Sequence, residues 1–160
     1  MIAAVAPGAP RLAGRRSENL AFWHQWVELP CHAVIPVPDS RSIIVVDDVD
    51  EMRLMVRIAL SSGERWRVVA EAANGMEAIE AAEREQPDVV LLDLEMPWMS
   101  GAECLPQIRR VSPNTAVVIW TVEPEGPRAK SAIDLGAVAV LDKGRTPATL
   151  LPDELDALLN

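Results

Sequence analysis

The sequence contains few of the residues that mark several classes of protein. Among 160 residues there are no tyrosines, one phenylalanine and two cysteines, Cys31 and Cys104. The cysteines form no CxxC or Cys/His pattern, so we expect neither a disulfide scaffold nor a zinc site, and a reducing cytoplasm is the expected location. No apolar run approaches the roughly 18 residues of a membrane-spanning helix. No basic stretch precedes an apolar segment at the N-terminus, as it would in a signal peptide.

Basic residues are also in the minority. The 15 lysines and arginines face 24 aspartates and glutamates, which gives a net charge of −9. Because nucleic-acid binding needs a basic face, this balance predicts no direct nucleic-acid contact. An acidic excess is equally common on soluble surfaces, so it identifies no partner.

Residues 1–41 differ from the remainder of the chain. They contain five prolines and no strand-like repeat, although Ser17 is placed to cap a short helix through about Leu29. We predict an N-terminal extension over residues 1–41 that is disordered or loosely docked. The alternative is a dedicated docking segment.

From Ser42 onward, short aliphatic runs alternate with helical patterns. The predicted strands are 43–46, 68–70, 89–92, 116–120 and 138–141. The predicted helices are 50–61, 74–86, 101–111, 127–135 and 147–159. Five such units in about 118 residues predict an α/β fold with a doubly wound, five-stranded parallel sheet, (βα)5.

Two details of the helices are open to direct test. In the last helix, Pro152 is predicted to cause an irregularity near the middle. In the first helix, one apolar face is predicted from Met52, Met55, Ile58 and Ala59.

Ionic or hydroxyl residues follow four of the strands. They are Asp47 and Asp48 after the first, Asp93 after the third, Thr121 at the end of the fourth and Lys143 after the fifth. Because the carboxyl ends of parallel strands share one edge, we expect these side chains to meet in one pocket.

Each of these residue types has a chemical use in such a pocket. Adjacent carboxylates repel one another, and Mg²⁺, which prefers oxygen ligands, relieves that repulsion. Lys143 can pair with Asp93 or with a phosphoryl oxygen, and the Thr121 hydroxyl can donate to such an oxygen. The set is suited to moving a phosphoryl group onto a carboxylate nucleophile.

The chain from Ser42 to about Leu159 resembles a two-component response-regulator receiver domain of the CheY-like superfamily, and residues 42–160 are predicted to be that domain. The motifs that carry the resemblance are Val45-Val46-Asp47-Asp48, Ala73-Asn74-Gly75-Met76-Glu77-Ala78, Asp93-Leu94-Glu95-Met96-Pro97 with Gly101, Ile108-Arg109, Gly136-Ala137 and Leu141-Asp142-Lys143.

The resemblance implies a flavodoxin-like strand order of 2-1-3-4-5. It also implies that Asp93 accepts a phosphoryl group from a sensor histidine kinase or phosphotransfer protein, and that Thr121 and Lys143 bind its oxygens. The ligands that it implies for Mg²⁺ are Asp47, Asp48, Asp93 and the backbone carbonyl of Glu95. Phosphorylation would then alter the surface of the fourth helix, fifth strand and fifth helix, for output or homodimerisation.

Five positions depart from the family's usual pattern, among them Gly144, which stands where a proline commonly follows the lysine. Val140 stands where a switching aromatic is common, and Val122 stands where a smaller residue usually follows the threonine. Glu95 adds a negative charge two residues after Asp93, where it would repel an incoming anion. Trp98 either anchors its loop against Met96 or Met99 or contacts a partner.

Two alternatives to this phosphoacceptor switch, which is not itself an enzyme, are kept open. Asp93-Leu94-Glu95 also mimics the nucleophile motif of small haloacid-dehalogenase-like phosphohydrolases. In those enzymes, however, the nucleophile follows the first strand. The second alternative is a receiver fold that signals by binding alone.

Overall fold

The structure, a computed structural model, describes residues 40–160. Residues 1–39 lie outside the described residues, and with them nearly all of the predicted extension, the helix predicted after Ser17, and Cys31. The first strand begins at Arg41, the last residue of that extension. Within the described part of the chain, no helix is long and apolar enough to cross a bilayer.

Within residues 40–160, five strands alternate with five α-helices, as predicted. The strands are β1 (Arg41–Val46), β2 (Trp66–Ala72), β3 (Val89–Leu92), β4 (Ala116–Thr121) and β5 (Ala139–Asp142). The α-helices are α1 (Asp50–Ser61), α2 (Gly75–Glu85), α3 (Gly101–Val111), α4 (Pro127–Asp134) and α5 (Leu151–Leu159).

The strands form one parallel sheet in the order β2-β1-β3-β4-β5, which confirms the predicted topology. All four residues of β3 are buried. Val90 and Leu92 belong to the core on one face of the sheet, whereas Val89 and Leu91 belong to the core on the other. A strand covered on both faces needs an unbroken aliphatic run, and this one supplies it.

Local signals place the helix ends. The Asn74 side chain accepts a hydrogen bond from the Glu77 backbone N–H (3.0 Å) at the start of α2, as the sequence predicts. Gly136, just after α4, has φ = +98°, a conformation that glycine adopts without steric cost. These two residues mark the start of α2 and the end of α4.

The predicted apolar face of α1 is only partly confirmed, because Met52 and Ala59 pack against the core but Met55 and Ile58 do not. Met55 and Ile58 are 51% and 62% exposed, whereas Val56 and Leu60 are buried. Buried positions four residues apart define a face rotated away from the predicted one. The sequence offers apolar residues in both registers, and packing against the sheet and α5 selects between them.

The predicted final helix is also corrected. A short 3₁₀ helix (Ala148–Leu150) precedes α5, which begins at Leu151. Pro152 consequently lies in the first turn of α5 rather than near the middle of a longer helix. In the first turn its missing N–H removes no intrahelical hydrogen bond, so the proline marks a helix start.

Candidate functional site

Three strand ends bring a lysine between two carboxylates at the carboxyl edge of the sheet. Lys143 Nζ lies 2.7 Å from Asp47 Oδ2 and 2.6 Å from Asp93 Oδ2. Asp47 and Asp93 are only 1% and 5% exposed. Backbone hydrogen bonds continue the parallel pairing past the strands, since the Asp93 N–H donates to Val46 O (3.0 Å). The pairing of β1 with β3 therefore places Asp47 and Asp93 side by side.

Asp48 joins the same cluster from the solvent side. Its side chain is exposed, and one carboxylate oxygen from each of Asp47, Asp48 and Asp93 lies within 4.8 Å of the other two. A close group of oxygen donors is the type of ligand set that Mg²⁺ prefers. The donor chemistry of these three residues therefore fits the predicted metal.

Burial and pairing shift the two central groups. Burial raises the pKa of Asp93, and the hydrogen bond and positive charge of Lys143 oppose that shift. Burial also disfavours the charged form of Lys143, but its hydrogen bonds to Asp47 and Asp93 outweigh burial and raise its pKa. The lysine thus stays protonated at neutral pH, beside a carboxylate that is held in an unfavourable environment.

Thr121 is fully buried at the end of β4. Its backbone carbonyl accepts a hydrogen bond from the Lys143 N–H (2.9 Å). Its hydroxyl accepts from the Glu123 N–H at 3.4 Å. Thr121 and Lys143 therefore end adjacent strands at the predicted edge. Val140 is partly buried and packs against the core, while Val122 is 67% exposed.

The loop after β3 packs closely against the nucleophile candidate. A Cβ on Gly101 would lie 2.2 Å from the backbone carbonyl oxygen of Asp93, so any side chain here would displace this loop. Trp98 has φ = +67° and is 93% exposed. That exposure contradicts the interpretation of Trp98 as a loop anchor, and a partner contact stays a prediction.

Sequence reasoning missed an ion pair at the rim of the site. Glu95 Oε1 lies 2.8 Å from Arg128 Nη1 in the first turn of α4, 33 residues away in sequence. The Glu95 backbone N–H donates to Asp93 Oδ1 at 3.2 Å. A signal was available, because α4 begins at the same sheet edge and carries an arginine in its first turn. The negative charge predicted to repel anions therefore has a cationic partner.

Comparison with known proteins supports one family. The sequence model described as "Response regulator receiver domain" matches residues 43–153. The nitrate/nitrite response regulator protein NarL of Escherichia coli (strain K12) is 36% identical over 113 residues, which cover 71% of this chain and 52% of NarL. Protein-glutamate methylesterase/protein-glutamine glutaminase 2 of Photobacterium profundum is 34% identical, over 73% of this chain and 30% of that protein.

Solved structures agree with these matches. The receiver domain of a putative NarL from Mycobacterium tuberculosis is 32% identical and superposes with a TM-score of 0.68, covering 76% of this chain and 98% of that one. The response regulator domain of Thermotoga maritima CheB is 29% identical, with a TM-score of 0.66 over 74% of this chain and 93% of that one. The chain spans about half of NarL and about a third of the methylesterase, so the matched part is the receiver region.

Proposed function

We propose that this chain, which belongs to the response regulator receiver domain family, is a phosphoacceptor switch in which Asp93 receives the phosphoryl group. The observation that carries the assignment is the placement of Lys143 Nζ, 2.6 Å from Asp93 and 2.7 Å from Asp47. A buried carboxylate next to an ammonium group and two further acids is equipped to act as a nucleophile toward phosphorus.

In the proposed transfer, an Asp93 carboxylate oxygen forms a bond to phosphorus. The bond from phosphorus to the donor histidine nitrogen breaks, and its electron pair stays with the imidazole. Lys143 and the Thr121 hydroxyl would bind the phosphoryl oxygens. Asp47, Asp48, Asp93 and the Glu95 carbonyl would hold Mg²⁺, which supplies positive charge against those oxygens when bound.

The proposed partners follow from this chemistry. The donor is a sensor histidine kinase or a phosphotransfer protein, and the proposed location is the cytoplasm. Output or homodimerisation would use the surface of α4, β5 and α5. A cavity of about 700 Å³ opens there between the loops after β4 and β5, lined in part by Val122, Val140 and Thr146. Since Val140 is not aromatic, the proposed switch requires a different side chain on this surface to change conformation on phosphorylation.

Labelling with a small phosphodonor tests the phosphoacceptor assignment. With Mg²⁺ and acetyl phosphate, intact mass spectrometry should show one added phosphate on the full chain. The Asp93→Ala variant should show none, whereas Asp88→Ala, a carboxylate at the other end of β3, should still be labelled.

Three results would contradict parts of the proposal. No mass change in the unsubstituted protein, under conditions that label a known receiver, would remove the phosphoacceptor function. Equal labelling of Asp93→Ala would move the site elsewhere. Sustained hydrolysis of many phosphomonoesters would favour the phosphohydrolase alternative.

A further inference from the structure

The acid beside the phosphoacceptor candidate is held by a cation from helix α4. Glu95 and Arg128 are 2.8 Å apart and both side chains are about half exposed. The Glu95 backbone N–H also donates to Asp93 Oδ1. Glu95 is therefore tied to the nucleophile through its backbone and to α4 through its side chain.

Arg128 also acts on the start of α3. The Glu103 carboxylate accepts hydrogen bonds from the Ser100 N–H (2.9 Å) and hydroxyl (2.8 Å). These bonds are the largest cause of its lowered pKa, and the charge of Arg128 adds to the shift. The guanidinium therefore lies within electrostatic reach of two acids, one in the loop after β3 and one in the first turn of α3.

A second acid on the rim, Glu123, lies against the start of α4. A Cβ on Gly126 would lie 3.0 Å from Glu123 Oε2, which shows that the Glu123 carboxylate folds back over the N-terminus of α4. A helix N-terminus favours a nearby negative charge. Glu95 is thus the rim carboxylate that depends on a side-chain cation.

We propose that Arg128 is a positioning residue, which holds the Glu95 carboxylate and offsets its charge so that an anionic phosphodonor can approach Asp93. The inference rests on the proposed function. An unpaired carboxylate two residues from the nucleophile would repel the donor, and the repulsion would act on the rate of labelling. An exposed ion pair contributes little to stability, so its loss can change that rate without unfolding the protein.

The first measurement is the rate of labelling by acetyl phosphate. Arg128→Gln should slow labelling roughly three- to tenfold, and Arg128→Lys should retain most of the rate because it keeps the charge. Adding Glu95→Gln to Arg128→Gln should restore the rate. Lys130→Gln is the matched control, since it removes the same charge from an exposed position of the same helix, and it should change the rate less than about twofold.

The second measurement separates electrostatics from structure. Losing Arg128 leaves a more negative rim, which attracts cations as it repels anions. Mg²⁺ titration followed by tryptophan fluorescence should therefore show roughly two- to threefold tighter binding in Arg128→Gln, and added salt should reduce both effects. A merely structural role would weaken Mg²⁺ binding and labelling together.

The outcomes distinguish this inference from the function on which it rests. If the unsubstituted protein is not labelled, the phosphoacceptor function fails. The Mg²⁺ titration still tests whether Arg128 offsets the charge of Glu95. If Arg128→Gln and Lys130→Gln label equally fast, the inference is wrong. It is equally wrong if Glu95→Gln fails to restore the rate.

Discussion

Asp88 and Asp93 stand at the two ends of the same buried strand, and their environments are opposite. Asp88, before β3, accepts hydrogen bonds from the Ser42 N–H (2.7 Å) and hydroxyl (2.6 Å). These bonds, led by the hydroxyl, lower the pKa of Asp88 despite some burial. Asp93, after β3, has its pKa raised by burial, which the pairing with Lys143 does not fully offset.

The difference separates a structural carboxylate from a reactive one. At Asp88 the ionised form is satisfied by neutral donors, so the group joins β3 to the start of β1. At Asp93 two acids share one ammonium group, so the negative charge of the ionised form is only partly compensated. Such a carboxylate gains from contact with a cation or from conversion to a neutral or esterified form, which is expected of a phosphoacceptor.

The largest expected effect comes from removing the shared cation. Lys143→Met should destabilise the protein by about 3 kcal/mol, because it leaves Asp47 and Asp93 buried without their partner. Urea unfolding measures this. Lys130→Met, at an exposed site, should cost less than about 0.5 kcal/mol. Equal losses of stability in both variants would show that Lys143 does not stabilise the buried charges of Asp47 and Asp93.

Neutralising each aspartate should change stability in opposite directions. Asp88→Asn weakens the charged hydrogen bonds from Ser42 and should lower the free energy of unfolding by about 1 kcal/mol. The loss is smaller than for a buried carboxylate because Asp88 is exposed. Asp93→Asn keeps the shape but removes a charge that burial disfavours, and should make the protein more stable at neutral pH. Chemical denaturation of both variants tests the pair, and a loss of stability in Asp93→Asn would contradict the contrast.

The smallest expected effect is the pH dependence of the stability changes caused by Asp93→Asn and Asp88→Asn. Asp93 has a folded pKa above its ordinary value of 3.8, so the cost of its charge is present above the folded pKa and disappears as the pH falls toward 3.8. Asp88 has a folded pKa below 3.8, so its stabilisation persists down to about that pH and is lost only below it. Between pH 7 and about 4, denaturation should therefore show the gain from Asp93→Asn shrinking while the cost of Asp88→Asn stays constant. If the stability gained by Asp93→Asn did not change with pH, burial would not be disfavouring the ionised form of Asp93.

Much of the fold follows from local signals in the chain. The continuous aliphatic runs, the Asn74 cap and Gly136 mark the elements because strands buried on both faces and helix ends have few sequence solutions. The parallel topology then brings residues 46 or 50 positions apart to one edge without any further information, as at Asp47, Asp93 and Lys143.

Side-chain contacts between elements far apart in sequence were at most partly predictable from such signals. The Glu95–Arg128 and Ser42–Asp88 pairs join residues 33 and 46 apart, and each depends on the direction in which an exposed or half-exposed side chain leaves the backbone. Half of the predicted face of α1, Met55 and Ile58, is wrong for a related reason. Its apolar residues fit two rotations, and only packing against the sheet and α5 distinguishes them.

The sequence by itself determined which residues end the strands, because hydrophobic pattern and parallel pairing are properties of the chain. Tertiary structure alone decided how their charges are compensated. Lys143 is shared between Asp47 and Asp93, Ser42 satisfies Asp88, and Arg128 holds Glu95. Charge compensation depends on distances of a few ångströms and on burial, and neither is set until the elements have packed.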